Sequence, residues 1–156
     1  MNADTVAGAL SVLAGALAGG GMQYASAART ARAARAERVR EERREAVEAL
    51  AGALHRHRGK LYRRWELRER PAAEREAERW RSWDSRDVVN DARDRLRLRI
   101  TDPAVLWHAD RLVDRSYALG DVDESTTQAD IDKRGDEARE ADAAFLAAAA
   151  EYINSL

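Results

Sequence analysis

Residues 131–156, IDKRGDEAREADAAFLAAAAEYINSL, decide the fold class of this chain. Their apolar positions recur at intervals of 3, 4 or 7 residues, namely Ile131, Ala138, Ala141, Phe145, Ala149, Tyr152 and Leu156. A helix with ~3.6 residues per turn places all of these positions on one side. The segment is therefore predicted to be an amphipathic helix that buries this side against other elements.

The composition also favours helices. The chain has 156 residues with two prolines and no cysteine, and 35% of its side chains are charged. This length is typical of one domain with room for an appendage. The lack of cysteine excludes a disulfide framework, a thiolate metal site and a cysteine nucleophile.

Three more helices are predicted before residue 131. The first carries an apolar stripe in its second half: Val47, Leu50, Leu54, Leu61 and Trp65. Pro71 ends it and opens a second helix, because proline is tolerated in a first turn. The predicted buried side of this second helix comprises Ala77, Trp80, Trp83, Val88, Val89, Ala92 and Leu96.

The third helix has clear boundaries. In Thr101-Asp102-Pro103 the chain stops and restarts, with Asp102 as N-cap and Pro103 as first helical residue, and Gly120 ends the helix. The alternating segment 95–100 resembles a strand, but no second strand exists to pair with it, so a helix end is predicted. We therefore expect an all-α protein in which residues 46–156 form an antiparallel three- to four-helix bundle.

Charge is distributed unevenly along the chain. Residues 1–28 carry one charge, residues 29–100 carry 22 basic and 14 acidic groups, and residues 101–156 carry 5 basic and 13 acidic groups. The total is −1, which argues against a dedicated nucleic-acid binder.

The N-terminal residues 5–28 contain no charge over 24 positions. As a helix they would span ~36 Å, which exceeds the ~30 Å hydrocarbon core of a bilayer. Residues 1–28 are therefore predicted to form a single transmembrane helix with a short external tail. A cleaved signal peptide and a soluble alanine/glycine-rich arm are the alternatives; the former lacks a positive residue before the apolar run.

Small residues recur every four positions in this head, at Ala7, Ser11, Gly15 and Gly19. Such a face lets two membrane helices approach closely. It predicts self-association into dimers or higher oligomers.

A basic cluster follows the head: Arg29, Arg32, Arg35, Arg38, Arg40, Arg43 and Arg44. The excess of positive charge beside the predicted span places residues 29–156 in the cytoplasm, at the inner face of the cell membrane. Residues 29–45 are predicted to be a charged stalk helix whose arginines contact anionic lipid. Plain solvation and DNA are the other interpretations; interleaved glutamates and the lack of aromatic residues nearby make nucleic acid unfavourable.

No enzyme chemistry, cofactor or metal is predicted. His55 and His57 would point to opposite sides of a helix, and His108 has no second histidine nearby. Residues 121–132 superficially follow a calcium-binding loop, but Thr126 replaces its glycine and Asp132 its final glutamate. The four tryptophans are predicted to be mainly core, with one exposed as an anchor for an unidentified protein partner.

The layout resembles that of actinobacterial KilB-like proteins, which act in plasmid spread. The resemblance lies in the glycine/alanine-rich head, the arginine/glutamate stalk, and the segments RREAVEALA (43–51), DPAV (102–105) and AFLAAAAEYI (144–153). It implies a role in conjugative plasmid transfer or spread, and it carries no catalytic residues over to this chain.

The sequence thus predicts a membrane-anchored helical scaffold that acts by assembling with itself or with partners. A soluble helical adaptor with a docking arm is one alternative. An oligomeric, membrane-perturbing growth inhibitor is the other.

Overall fold

The computed structural model describes the backbone of residues 3–155, and the side chains of residue 27 and residues 29–155. The elements are α1 (Ala3–Glu66), α2 (Ala72–Arg99), α3 (Pro103–Ala118) and α4 (Gln128–Asn154). No strand occurs within residues 3–155, so the predicted all-α class is confirmed. The chain divides into two units, of which the first ends at Val39 and the second begins at Arg40.

The helix ends have local causes. Pro71 occupies the N-cap position of α2, and α2 continues through the alternating segment to Arg99, where Ile100 turns to extended backbone. The helical prediction for residues 95–99 is thereby confirmed. At α3 the Asp102 carboxylate accepts hydrogen bonds from the amides of Ala104 and Val105 at 3.0 and 2.9 Å, as predicted for an N-cap.

The start of α4 lies three residues earlier than the apolar spacing indicates. Thr127 and Asp130 form a capping box, in which the Asp130 carboxylate accepts from the Thr127 amide at 2.9 Å. The same carboxylate accepts from the Thr127 hydroxyl at 2.7 Å. The Asp130 amide in turn donates to the Thr127 hydroxyl at 3.3 Å, so both amides of the capping box have partners that a bare helix start would not supply.

The second unit has one main core, to which all four helices contribute. Its fully buried side chains include Leu50 and Leu54 of α1, Leu96 of α2, Leu112 of α3 and Phe145 of α4. A smaller cluster contains Leu61, Trp65, Leu119, Ile131 and Ala138. The predicted apolar stripes of α1 and α4 are therefore correct in their main positions.

The predicted buried side of α2 is partly wrong. Val89, Ala92 and Leu96 are buried, but Ala77, Trp80, Trp83 and Val88 are exposed. In the first half of α2 the buried positions are Glu78, Ser82 and Ser85 instead. The reason is local: Ser85 is small and polar, and it faces the buried imidazole of His57 rather than an apolar side chain.

One charged group of α1 is buried among the helices. Arg58 is 7% exposed and donates to the Ser116 hydroxyl of α3 and the Asp142 carboxylate of α4, both at 3.3 Å. The second carboxylate oxygen of Asp142 is buried without a hydrogen-bond partner. This contact links three helices through one charged side chain, and the unpaired Asp142 oxygen offsets part of what a buried ion pair contributes to stability.

In the part of the chain whose side chains are described, no helix has a stretch that is long and apolar enough to cross a membrane. The predicted transmembrane segment, residues 1–28, lies outside that part except for Ala27.

Candidate interaction surfaces

The N-terminal part of the predicted basic cluster is a solvent-exposed helix. All side chains from residue 29 to residue 39 are exposed, including Arg29, Arg32, Arg35 and Arg38. Arg38 donates to the carbonyl of Ala34 one turn earlier, at 3.4 Å. This segment therefore presents positive charge to its surroundings rather than to a core.

The C-terminal part of the same cluster contacts the bundle. Arg43 donates to the carbonyl of Arg99 at 3.2 Å, and its guanidinium lies 5.3 Å from the centre of the Tyr152 ring. Arg44 pairs with Glu41, and Glu42 accepts from Arg99 at 2.6 Å. Arg40 is half-buried. Arg43 thus contacts the end of α2 and the Tyr152 ring of α4, whereas Arg44 is exposed and pairs within α1.

The predicted helix-association face cannot be placed. Ala7, Ser11, Gly15 and Gly19 lie outside the residues whose side chains are described.

Two tryptophans stand exposed on α2. Trp80 is 62% and Trp83 54% exposed, and their ring centres are 6.4 Å apart. With Glu76 and Arg79 they line a cavity of about 150 Å³. On α3, Trp107 is also exposed, whereas Trp65 is buried and donates to the side-chain oxygen of Gln128 at 2.8 Å. The prediction that most tryptophans are core is wrong, because only Trp65 is buried.

A second, larger cavity of about 380 Å³ lies beside the first, between the end of α1 and the start of α2. We call it the α1–α2 groove; it is lined by Arg64, Trp65, Arg68, Ala72, Arg75, Glu76, Arg79, Val122 and Asp123. Arg68 packs over the Trp65 ring at 4.1 Å. The lining contains four arginines and two carboxylates, so the groove carries a net positive charge.

A third cavity, of about 50 Å³, shares Arg64 with the groove and is lined by a buried polar cluster. His57 lies in its wall, 2% exposed, and its Nδ1 atom is 2.8 Å from the hydroxyl oxygen of Ser85. The Ser85 hydroxyl donates to the carbonyl of Ser82 at 2.8 Å, so the imidazole is the donor to Ser85.

Burial sets the proton affinity of this cluster. Desolvation, with the charges of Arg86 and Lys60, lowers the pKa of His57 to about 4, so its ring is neutral at pH 7. Desolvation also raises the pKa of Tyr117, whose ring meets that of His57 edge-on at 5.2 Å. The neutral His57 ring donates to Ser85, and the Ser85 hydroxyl donates to a carbonyl. Because the imidazole does not accept the serine proton, this is a packing contact and not an activated nucleophile.

In the acidic loop between α3 and α4, the carboxylate of Asp123 is hydrogen-bonded within the loop. Asp123 accepts from the Ser125 and Thr126 hydroxyls at 2.8 and 3.0 Å and from the Ser125 amide at 2.9 Å. These hydrogen bonds, Ser125 first, hold the pKa of Asp123 below its usual range. No group of three potential ligands that could hold a metal ion occurs among the described residues.

The basic cluster predicted from the sequence does not include the groove arginines, although two of them, Arg75 and Arg79, share a helical spacing with Arg86, which lines the third cavity. Arg75, Arg79 and Arg86 are separated by 4 and 7 residues, a spacing that puts them on one side of a helix. Trp83, four residues after Arg79, lies next to that side.

These features define a small helical-bundle protein whose described surface offers an exposed basic helix and an arginine- and tryptophan-lined groove. The family model described as KilB plasmid transfer protein matches residues 44–153, and the chain belongs to this family. The resemblance drawn from the sequence is therefore confirmed. No curated protein and no solved structure matches the chain.

Proposed function

We propose that this protein is a membrane-attached helical scaffold that takes part in plasmid transfer through contacts with itself and with partner proteins. The family match supports the connection with plasmids, and it covers the bundle, residues 44–153. The attachment rests on the N-terminal segments that precede this range.

The observation that carries the proposal is the exposure of residues 29–39. Arg29, Arg32, Arg35 and Arg38 project from a helix with no described apolar partner, directly after 24 uncharged residues. Next to an anionic leaflet, each arginine would gain about 1 kcal/mol. A row of exposed arginines at this position favours a cytoplasmic bundle held close to the membrane.

Protease protection in spheroplasts tests this topology with the full-length chain. We expect a C-terminal tag to be protected, because residues 29–156 face the cytoplasm. Replacing Arg29, Arg32, Arg35 and Arg38 with glutamine should expose a measurable fraction of the tag, since the charge bias that sets the orientation is lost.

The matched control removes four exposed arginines far from the head: Arg56, Arg70, Arg95 and Arg111. It changes the net charge equally and should leave the tag protected. A wild-type tag cleaved from outside would refute the orientation. Recovery of the wild-type chain in the cytosol would favour the soluble adaptor instead.

A further inference from the structure

We propose that the α1–α2 groove binds the phosphates of a single-stranded nucleic acid, while Trp83 and Trp80 provide surfaces on which its bases stack. This inference goes beyond the proposed function and does not depend on attachment to a membrane. It rests on the charge, the unused donors and the aromatic exposure of one continuous surface.

The groove contains cationic donors without acceptors. Arg64 is half-buried, Arg75 is exposed, and neither guanidinium has a hydrogen bond or ion pair with any described residue. Arg68 pairs with Glu69 at 3.3 Å and donates to the Trp65 carbonyl at 3.2 Å, and Arg79 pairs with Glu76 at 3.9 Å. A phosphate in the groove would satisfy guanidinium donors that the fold leaves open, with short charge-assisted hydrogen bonds.

The positive charge continues from the groove along one side of α2. Arg75, Arg79 and Arg86 lie within ~40° of one another around the helix axis and extend over ~16 Å. Trp83 is offset by a further ~40°, and its ring lines the cavities on both sides of it. A backbone that follows the arginines would therefore place its bases against an exposed indole.

Such a combination is what sequence-tolerant single-strand binding uses, since phosphates need a basic track and bases need an aromatic face. A duplex keeps its bases stacked inside and could not use Trp83 in this way. The expectation that nucleic acid is unfavourable came from the total charge and from residues 29–44, which are separate from this groove.

The opposite side of α2 argues against a membrane as the ligand. Asp84, Asp87 and Asp91 are exposed, have no ion pair among the described residues, and lie on the Trp80 side of the helix. A flat anionic surface that met both tryptophans would also meet these carboxylates and be repelled. A narrow strand can follow the arginine side and avoid them.

Glu76 and Asp123 reduce the charge of the groove, so the binding should be weak and salt-sensitive. With three or four phosphates neutralised, the logarithm of the affinity should fall against that of the salt concentration with a slope of about −2 to −3.

The test is fluorescence anisotropy of a dye-labelled oligothymidylate, titrated with the full-length chain in detergent at low salt. We expect saturable binding that weakens at least tenfold in the Arg64→Gln/Arg75→Gln variant. The Trp80→Ala/Trp83→Ala variant should lose affinity by a similar factor, with the salt slope unchanged, because stacking involves no counterion release.

The control is Arg93→Gln/Arg97→Gln. It removes two positive charges, as the test variant does, from the side of α2 that carries Arg75. Both arginines are paired with Asp110, at 2.7 and 3.0 Å, so this variant should bind within twofold of wild type. Circular dichroism must show native helix content in each variant.

Three outcomes would overturn the proposal. The first is no saturable binding, and the second is an equal loss of affinity in the control variant. The third is that polyglutamate, or vesicles of phosphatidylcholine and phosphatidylglycerol, displace the oligonucleotide while unlabelled single strand does not. If thymidine monophosphate displaces the oligonucleotide as well as unlabelled strand does at the same nucleotide concentration, the site is supported and its ligand is a single nucleotide.

Discussion

His57 shows how a single side chain ties the stability of the bundle to pH. The ring is 2% exposed, and burial with two nearby cations lowers its pKa to about 4. In the unfolded chain a histidine has a pKa of about 6.5. The unfolded state therefore takes up a proton first as the pH falls.

At pH 7 the lowered pKa of His57 should have almost no effect on stability, because the ring is neutral in both states. As the pH falls from about 6.5 to 4, protonation in the unfolded state alone should destabilise the protein progressively. Between pH 7 and pH 5 the free energy of unfolding should fall by roughly 2 kcal/mol from this group. Urea unfolding followed by circular dichroism measures this difference.

The control for this prediction is His57→Gln, which keeps a donor for Ser85 but does not titrate. Its stability should be lower at pH 7 and should change less between pH 7 and pH 5. If the variant and the wild type lose the same free energy over this interval, His57 does not titrate as described.

The burial of single side chains on α2 is what the sequence predicts least well. A tryptophan at a helical spacing reads as core, yet Trp80 and Trp83 are exposed while Ser82 and Ser85 are buried. What decides the side of α2 that is buried is the partner on α1, the imidazole of His57. Apolar periodicity carries no information about such a polar partner.

At the scale of elements, the sequence predicts well wherever the signal is local. Asp102 and Pro103 fix the start of α3, and Pro71 separates α1 from α2. The start of α4 is the exception: Thr127 and Asp130 form a capping box, which is also a local signal, but the apolar spacing that predicts this helix begins only at Ile131. The groove is missed for another reason, since it arises only when α1 and α2 lie side by side.

Two glycines within helices provide a matched test of helix packing. A methyl group at Gly59 of α1 would meet nothing within 4 Å. Gly59→Ala should raise the free energy of unfolding by about 0.5–1 kcal/mol, because alanine is the better helix former.

A methyl group at Gly135 of α4 would overlap the hydroxyl of Tyr62 on α1. Gly135→Ala should lower the free energy of unfolding by about 1–3 kcal/mol, since Tyr62 must move to accept it. Thermal or urea unfolding of both variants tests whether α4 packs closely against Tyr62 of α1 at Gly135 and whether the space at Gly59 is open. Stabilisation by Gly135→Ala would contradict the close approach.

At the scale of the whole molecule, the family relationship and the proposed attachment belong to different parts of the chain. The match to the family begins at Arg44, whereas the uncharged head and the arginines that follow it lie before that residue. In the proposed function the bundle makes the contacts with partners, and the head attaches the chain to the membrane.

Self-association through the head gives a prediction at this scale. Replacing Gly15 and Gly19 with leucine should weaken dimers or higher oligomers in a bilayer, because large side chains keep two helices apart. Energy transfer between labelled full-length chains in vesicles measures the effect. Leucine at Ala9 and Ala16, off the predicted face, is the control, and an unchanged signal in the glycine variant would argue against this face.

The proposed attachment places the N-terminal segment of the chain in the membrane. Alkaline carbonate extraction of membranes from cells that express the full-length chain is the decisive measurement. We expect the protein to stay in the pellet after the wash and to leave it only in detergent. Complete release into the carbonate supernatant would refute the attachment.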